Sequence, residues 1–445
     1  MTIRLLTLFL LVSILLTPAF AQAQGRIIIR DAEIEGTIKA WAKPIIEAAG
    51  LQPSDVKIIL VQNEAVNAFV AGGPNIFIHS GLIEKANTPS ELLGVIAHEI
   101  GHITGGHITR TAAVANRLSY EVLAATILGG AAAILSGEPG AMAAASAAAQ
   151  ATAMNQFLIH SRTQESSADQ AAISYMQQAH IPTAGFVSFL RSLADQELLP
   201  TSQQSAYMRT HPVTRERMEN VQRRVEASPA VATSSDKDET YRLLRAKLAG
   251  FTKPQQIDWI YPPKDQSVPA QYARAIAAYR QQKVAASLKI MDDLLAAQPQ
   301  NPYFHEMKGQ MLMDFARVRD AQGSYAKAVA LAPDQPLIRI TYAQALMEAD
   351  VTNKAAQRQA IEELKRALRT EDRMPRLHRL LATAYGRIGD DGMVSLHLAE
   401  EALLQKRTDD AIGQSNRAIA KLPRGSAGSL KAQDILALAE QMKKD

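Results

Sequence analysis

The chain has no cysteine in its 445 residues. That excludes a thiol nucleophile and a disulfide framework, and it confines any bound metal to nitrogen and oxygen ligands. The absence is compatible with an oxidising compartment. Aromatic residues are scarce, at 5% of the chain, so the core must be built from aliphatic side chains and alanine, a composition that leans helical. An excess of charge of one sign is also lacking. A formal net charge of +4 is too small over this length to call for nucleic acid as a partner. Long apolar runs are missing as well: residues 5–16 and 122–135 both fall short of the roughly 20 residues that a membrane-crossing helix needs.

What is present begins with a leader-like segment. Arg4 precedes the largely apolar run Leu5–Leu16, and Ala19-Phe20-Ala21 and Ala21-Gln22-Ala23 both fit the small-x-small cleavage pattern. Residues 1–23 are therefore read as a signal peptide and the protein as exported, an uncleaved anchor being the alternative. Residues 24–224 are expected to form the first domain. In it "VKIILVQ" (56–62) and "NIFIHSG" (75–81) read as strands, with Gly72, Gly73 and Pro74 between them suggesting a hairpin. Beyond Thr88 the pattern is helical. "VEASPAVATSSDKDE" (225–239) and the Pro-rich "WIYPPKDQSVPA" (259–270) mark a linker over 225–266.

Residues 267–443 carry a repeat. "AAQPQNP" (296–302) returns as "ALAPDQP" (330–336), 34 residues on, with looser turns at "TEDRMP" (370–375) and "KLPRGS" (421–426). Paired amphipathic helices at that period are the signature of tetratricopeptide (TPR) stacking, although the consensus tryptophan is missing. The fold class expected is mainly α: an α+β first domain with a small β-hairpin or sheet, then an all-α TPR solenoid. The Ala- and Gly-rich segment 122–135 reads as a buried helix hairpin, or else as a membrane-facing loop that gives peripheral membrane contact.

The chemistry gathers in the first domain, where seven of the ten histidines fall between His79 and His211. In "VIAHEIGHITGGH" (95–107), His98 and His102 are four apart and share one helical face. Thr88, Pro89 and Glu91 supply the N-cap, first turn and capping box of that helix. H-E-x-x-H places two zinc ligands beside a carboxylate, Glu99, able to act as base on the attacking water. A metzincin would need a histidine at 108, where Ile108 stands, so His107 is read as a helix-surface residue or a support behind the ligands. The third ligand is then sought on a later helix. "SRTQESSADQAA" (161–172) offers Glu165, with Asp169 one turn on to hold a ligand imidazole by its other nitrogen. "HEMKG" (305–309) has Gly309 where a second histidine is needed and is read as structural.

"HEIGH", "SRTQESSAD", the upstream "NAFVAGG" and the downstream "THPVTRER" (210–217) together resemble the HtpX-type and CAAX-protease-type gluzincin metallopeptidases. With a signal peptide and a TPR domain attached, the chain is similar to the periplasmic members of that family. The resemblance implies one Zn2+ per chain held by His98, His102 and Glu165, with Glu99 as catalytic base. It also implies a role for His211 over the metal: either a donor to the oxyanion, or a fourth ligand that holds the enzyme shut until a substrate or partner moves the loop. An extended substrate is expected to pair with Asn75, Ile76, Phe77, Ile78 and His79. Arg217 is expected to support the oxyanion or the loop.

The partners implied are protein or peptide substrates, outer-membrane β-barrel assembly components and lipopolysaccharide-transport components. The competing class is a chaperone or assembly factor whose proteolysis is secondary. A pure TPR scaffold with a relic site is disfavoured by the intact Glu99.

Overall fold

A computed structural model describes residues 27–107, 109–111, 113–114, 119, 140–194, 199–200, 203–227, 231 and 235–444. The segments 1–23 and 122–135, on which the signal-peptide and hairpin readings fall, lie outside these residues. Among the described residues no helix is long and apolar enough to cross a membrane.

The first core is assembled on a four-stranded sheet. Its strands are β1 (Ile28–Ile29), β2 (Lys57–Val61), β3 (Ala68–Val70) and β4 (Asn75–His79), in the order β1-β2-β4-β3. Here the structure departs from the expected hairpin. β2 and β4 run parallel, in register from Lys57↔Asn75 to Val61↔His79, while the hairpin joins β3 to β4. The turn signal was sound, since Gly72 and Gly73 take φ of 64° and 98°, conformations open to glycine. The sequence does not reveal the partner, because "AFV" is too short to stand out as a strand by alternation.

Helix α1 (Ala32–Ala48) starts at Asp31, whose side chain accepts from Ile34 N at 2.8 Å. It packs Ile34, Ile38, Ala42, Ile45 and Ile46 into the core that contains the sheet. After the short α2 (Ser80–Lys85), α3 (Pro89–Thr104) begins as the sequence indicates: Thr88 caps Glu91 N and Pro89 opens the first turn. Glu91 reaches back to Asn87 N at 2.7 Å, one residue beyond the N-cap. Every residue of α3 from Pro89 to His102 is buried, the mark of a helix enclosed on all sides. Its neighbours are α4 (Gly140–Gln178) and α5 (Ala184–Ala194). The short α6 (Ala206–Thr210) and α7 (Arg215–Glu226) complete this part.

Residues 225–266 are not simply a linker. Ser235–Thr252 form helix α8, which sends Tyr241, Leu244 and Leu248 into the first core and Leu243 into the next. Its polar start, "SDKDE", obscured the amphipathic "YRLLRAKLAGF" that follows. After α9 (Ile257–Ile260) come ten helices in five pairs: α10 (Val268–Arg280) with α11 (Val284–Ala297), α12 (Pro302–Asp314) with α13 (Val318–Leu331), α14 (Pro336–Ala349) with α15 (Lys354–Leu368), α16 (Pro375–Ile388) with α17 (Asp391–Leu404), and α18 (Thr408–Lys421) with α19 (Ala427–Lys444). Pro269, Pro302, Pro336 and Pro375 each sit in the first turn of the leading helix of a pair, where the missing N–H costs nothing. The C-terminal part is built of TPR-like helix pairs, and the described residues are mainly α with one small sheet.

Candidate metal centre

Three separate elements converge on one point. From α3, His98 Nε2 and His102 Nε2 approach to 3.0 Å. From α4, Glu165 places Oε2 3.3 Å from His98 Nε2 and Oε1 3.3 Å from His102 Nε2. The residue following α6, His211, brings Nδ1 to 3.0 Å from Glu165 Oε1 and 3.3 Å from His98 Nε2. All four side chains are buried, and one donor atom from each lies within 4.8 Å of the others.

Tetrahedral zinc with bonds of about 2.0–2.1 Å spaces its donors roughly 3.3 Å apart. The separations of 3.0–3.3 Å given above lie close to that spacing, and the donor set is nitrogen and oxygen alone. Neutral imidazoles would turn lone pairs towards one another and towards a carboxylate, an arrangement that a central cation resolves. The residues therefore fit a divalent metal. Carboxylates and imidazoles at the centre also act on one another's titration. Burial opposes charging of His98, yet Asp169 and Glu165 lift it to about 9. His102 is pushed down by burial. Glu165 is held well below the usual carboxylate range, because His211, His102 and His98 outweigh its burial.

The support behind the ligands is equally specific. His98 Nδ1 stands 2.9 Å from Asp169 Oδ1. Asp169 is gripped in turn by Arg217, Nε to Oδ2 at 2.6 Å and Nη2 to Oδ1 at 2.8 Å. The same guanidinium reaches Glu165 Oε2 at 2.8 Å and donates to the carbonyls of His211 and Pro212 at 3.3 and 3.1 Å. Burial raises the carboxyl of Asp169, but Arg217 and His98 bring it below its usual value. Of the two tasks expected of Arg217, these contacts correspond to holding the loop. Glu99 is buried beside the cluster, with Oε1 3.5 Å from His211 Nε2.

Tyr207 has little signal in the sequence, whereas of the two readings open to His107 the structure favours the support behind the ligands. Tyr207 is fully buried, its ring 4.8 Å from that of His211 and its hydroxyl without a hydrogen-bond partner among the described residues. Its one sequence cue is a spacing of four from His211. His107 is not on a helix surface: it is buried, with Nδ1 2.9 Å from His102 Nδ1.

The strand Asn75–His79 does not offer a substrate its backbone. β4 is paired on both sides, by β2 and β3, so no ladder of free N–H and C=O groups remains there. Asn75 Nδ2 bonds the carbonyls of Ala71 and Gly72 in the adjoining turn, Ile76 and Ile78 are core residues, and the His79 ring meets Ala65 O and the edge of Phe69. Phe77 stacks on Phe69 across the hairpin. The sheet's edge on this side is β3. Even there Ala68 is wholly buried, and Tyr207 N donates to Val66 O at 3.0 Å just ahead of it.

Residues 30–225 match peptidase family M48. The beta-barrel assembly-enhancing protease of Yersinia pestis is 25% identical over 375 residues, covering 82% of this chain and 75% of its own. Its namesake in Escherichia coli K12 is 24% identical over 341 residues, 74% and 68% of the two chains. The metalloprotease LoiP of Escherichia coli K12 is 29% identical over 179 residues, 40% of this chain and 64% of its own. A solved structure of MamA (MSR-1 C2) covers 38% of this chain and 98% of its own, at 17% identity and a TM-score of 0.32. The repeat reading stands on the helix pairs described above and takes nothing from that likeness.

Proposed function

We propose, from the premise that residues 30–225 form a peptidase family M48 domain and that the chain is a metalloprotease, a latent zinc endopeptidase whose TPR part engages clients. His98, His102 and Glu165 are its zinc ligands and Glu99 its base. The observation that carries this reading is the convergence of four buried donors within 4.8 Å, with the Glu99 carboxylate alongside. When bound, zinc supplies Lewis-acid polarisation of the peptide carbonyl and makes water a better nucleophile at neutral pH. Glu99 takes the proton from the attacking water and returns it to the leaving amine as the C–N bond breaks. Asp169 orients His98, and Arg217 neutralises Asp169 while holding the His211 loop.

Latency is supported by one short segment. Tyr207 N on Val66 O occupies the sheet's edge ahead of β3, and His211 fills the fourth position among the donors. An extended substrate needs both places. Movement of Ser205–His211 would free them together, so His211 is read as the inhibitory fourth ligand, the oxyanion donor being its alternative.

In cellular terms we read residues 1–23 as the signal peptide, 24–224 as the peptidase domain and 267–443 as the TPR domain, with action in the periplasm, soluble or peripheral to the outer membrane. The name shared by the first two relatives supports protein clients in β-barrel assembly. Lipopolysaccharide-transport components are further candidate partners.

The test is metal analysis of the purified protein, with casein degradation by wild type, Glu99→Gln and His211→Ala. One zinc per chain is expected. Glu99→Gln should keep the metal and lose about 10²–10⁴-fold in rate, and His211→Ala should degrade casein faster than wild type. Lost activity in His211→Ala with zinc still bound would assign His211 to the oxyanion. A preparation that takes up no divalent metal would end the hydrolase reading. Full cellular function in Glu99→Gln would favour the chaperone reading.

A further inference from the structure

We infer that His107 is a positioning residue that selects the tautomer and ring plane of His102, and that Gly105-Gly106 form the turn that delivers it. The inference rests on the metal reading above and extends it to a residue that does not join the ligand cluster.

The turn is built for this one contact. After α3 ends at Thr104, Gly106 adopts φ +62° in a turn, and helical structure resumes at His107 with Arg110 N bonded to Gly106 O at 3.1 Å. Gly105 leaves room for the His107 ring. A Cβ at that position would lie 2.2 Å from His107 Nε2 and 2.6 Å from its Cδ2. The ring arrives with Nδ1 2.9 Å from His102 Nδ1 and its plane at 80° to that of His102. Gln164 fixes the backbone behind it: Nε2 donates to His107 O at 3.2 Å, and Oε1 accepts from Thr111 Oγ1 at 2.8 Å. Gln164 directly precedes the ligand Glu165, so the same bracket ties the segment that follows α3 to the ligand-bearing turn of α4.

The chemistry follows from counting protons. His102 turns Nε2 towards His98 and Glu165, so as a neutral ligand it must carry its hydrogen on Nδ1. That N–H needs an acceptor, and the atom in place is His107 Nδ1, whose ring then keeps its own hydrogen on Nε2. The two histidine ligands are thus backed differently, His98 by the anionic Asp169 and His102 by a neutral imidazole. A carboxylate draws the Nδ1 proton more strongly and makes the ligand more basic. Backing only one of the two in this way limits the negative charge packed around the site, which already holds Glu165, Asp169 and Glu99 against Arg217.

The test is zinc affinity, measured on the full mature chain after chelator stripping by competition with a chromophoric chelator. His107→Phe keeps the ring volume without the acceptor and should bind zinc about 10–100-fold more weakly. His107→Gln restores an acceptor and should recover most of that loss, whereas a purely space-filling role predicts the opposite order. Gly105→Ala leaves His107 intact but displaces its ring, and should reproduce the weakening, with the same change in the visible spectrum of the cobalt-substituted chain. A folded His107→Phe, or a folded Gly105→Ala, with wild-type zinc affinity overturns the inference. A wild-type chain that takes up no zinc overturns the metal reading first and this inference with it, so the two failures are told apart by the first measurement.

Discussion

Arg217 brings a positive charge into a site that is also to hold a divalent cation, and this is sustainable only because three carboxylates surround them. Its guanidinium is spread over Asp169, Glu165 and two loop carbonyls. Replacement by methionine would leave two buried carboxylates without their partner, and breaking a buried pair in this manner costs about 3–5 kcal/mol. Arg217→Met should therefore shift the denaturant midpoint of the peptidase part downwards at neutral pH and lower its metal content. A midpoint equal to wild type would show that the Asp169–Glu165 pair is held by something other than this arginine. At this scale the sequence was partly transparent. Helical spacing by itself paired His98 with His102 and Glu165 with Asp169, because i and i+4 share a face whatever the tertiary fold. The entry of His211 came from resemblance, and nothing local announced that Arg217 grips both carboxylates from 48 and 52 residues away.

Between elements, the centre depends on how closely α3 and α4 approach. They meet at Gly101, where an added Cβ would lie 2.8 Å from Ala168 O and 3.0 Å from its Cα. Both contacts are backbone, so no side chain can swing aside. Gly101→Ala should wedge the helices apart, costing about 1–3 kcal/mol of stability as an overpacked core does. It should also weaken metal binding, since Glu165 sits three residues from the contact. Unchanged zinc affinity in a destabilised Gly101→Ala would show that the donors follow the helices as they separate. The helix itself was legible, with its N-cap, its proline and its apolar run. The sheet was not: alternation identifies β2 and β4 as strands but does not reveal β3, which pairs with β4 and takes its free side.

Across the whole molecule, the peptidase and TPR parts are joined through a buried charge cluster. Lys247 of α8, with no exposed surface, places Nζ 2.8 Å from Asp31, 3.2 Å from Glu33 and 3.4 Å from Glu306. Tyr272 donates to Glu33 at 2.9 Å. Asp31 and Glu33 open α1, and Glu306 belongs to α12 of the repeats, so a single lysine spans the junction. One cation does not balance three carboxylates. Burial, joined by Asp31 and Glu33 and opposed by Lys247, pushes Glu306 up to about 7. The unfolded chain releases this proton near the ordinary carboxylate value and the folded chain near 7. Between those values the unfolded state binds fewer protons, and stability falls as pH rises. Burial raises Glu33 as well, so Glu306→Gln should lessen that fall and gain on the order of 1–3 kcal/mol at pH 8 relative to wild type, read from thermal unfolding at pH 5 and pH 8. Equal pH dependence in the two proteins would mean that Glu306 is ionised throughout.

The sequence by itself determined the local facts: the absence of any thiol ligand, the HExxH helix with its caps, the carboxylate pair one turn apart, and the 34-residue rhythm of the repeats. Each depends on residues close in the chain, where helical geometry converts spacing into direction. Only the tertiary structure decided what lies far apart in the chain. It brought His211 and Arg217 to Glu165, inserted β3 beside β4, folded the supposed linker into a helix shared by two cores, and set Lys247 among carboxylates from both parts. Those contacts are fixed by packing between distant elements, and no short-range periodicity encodes them.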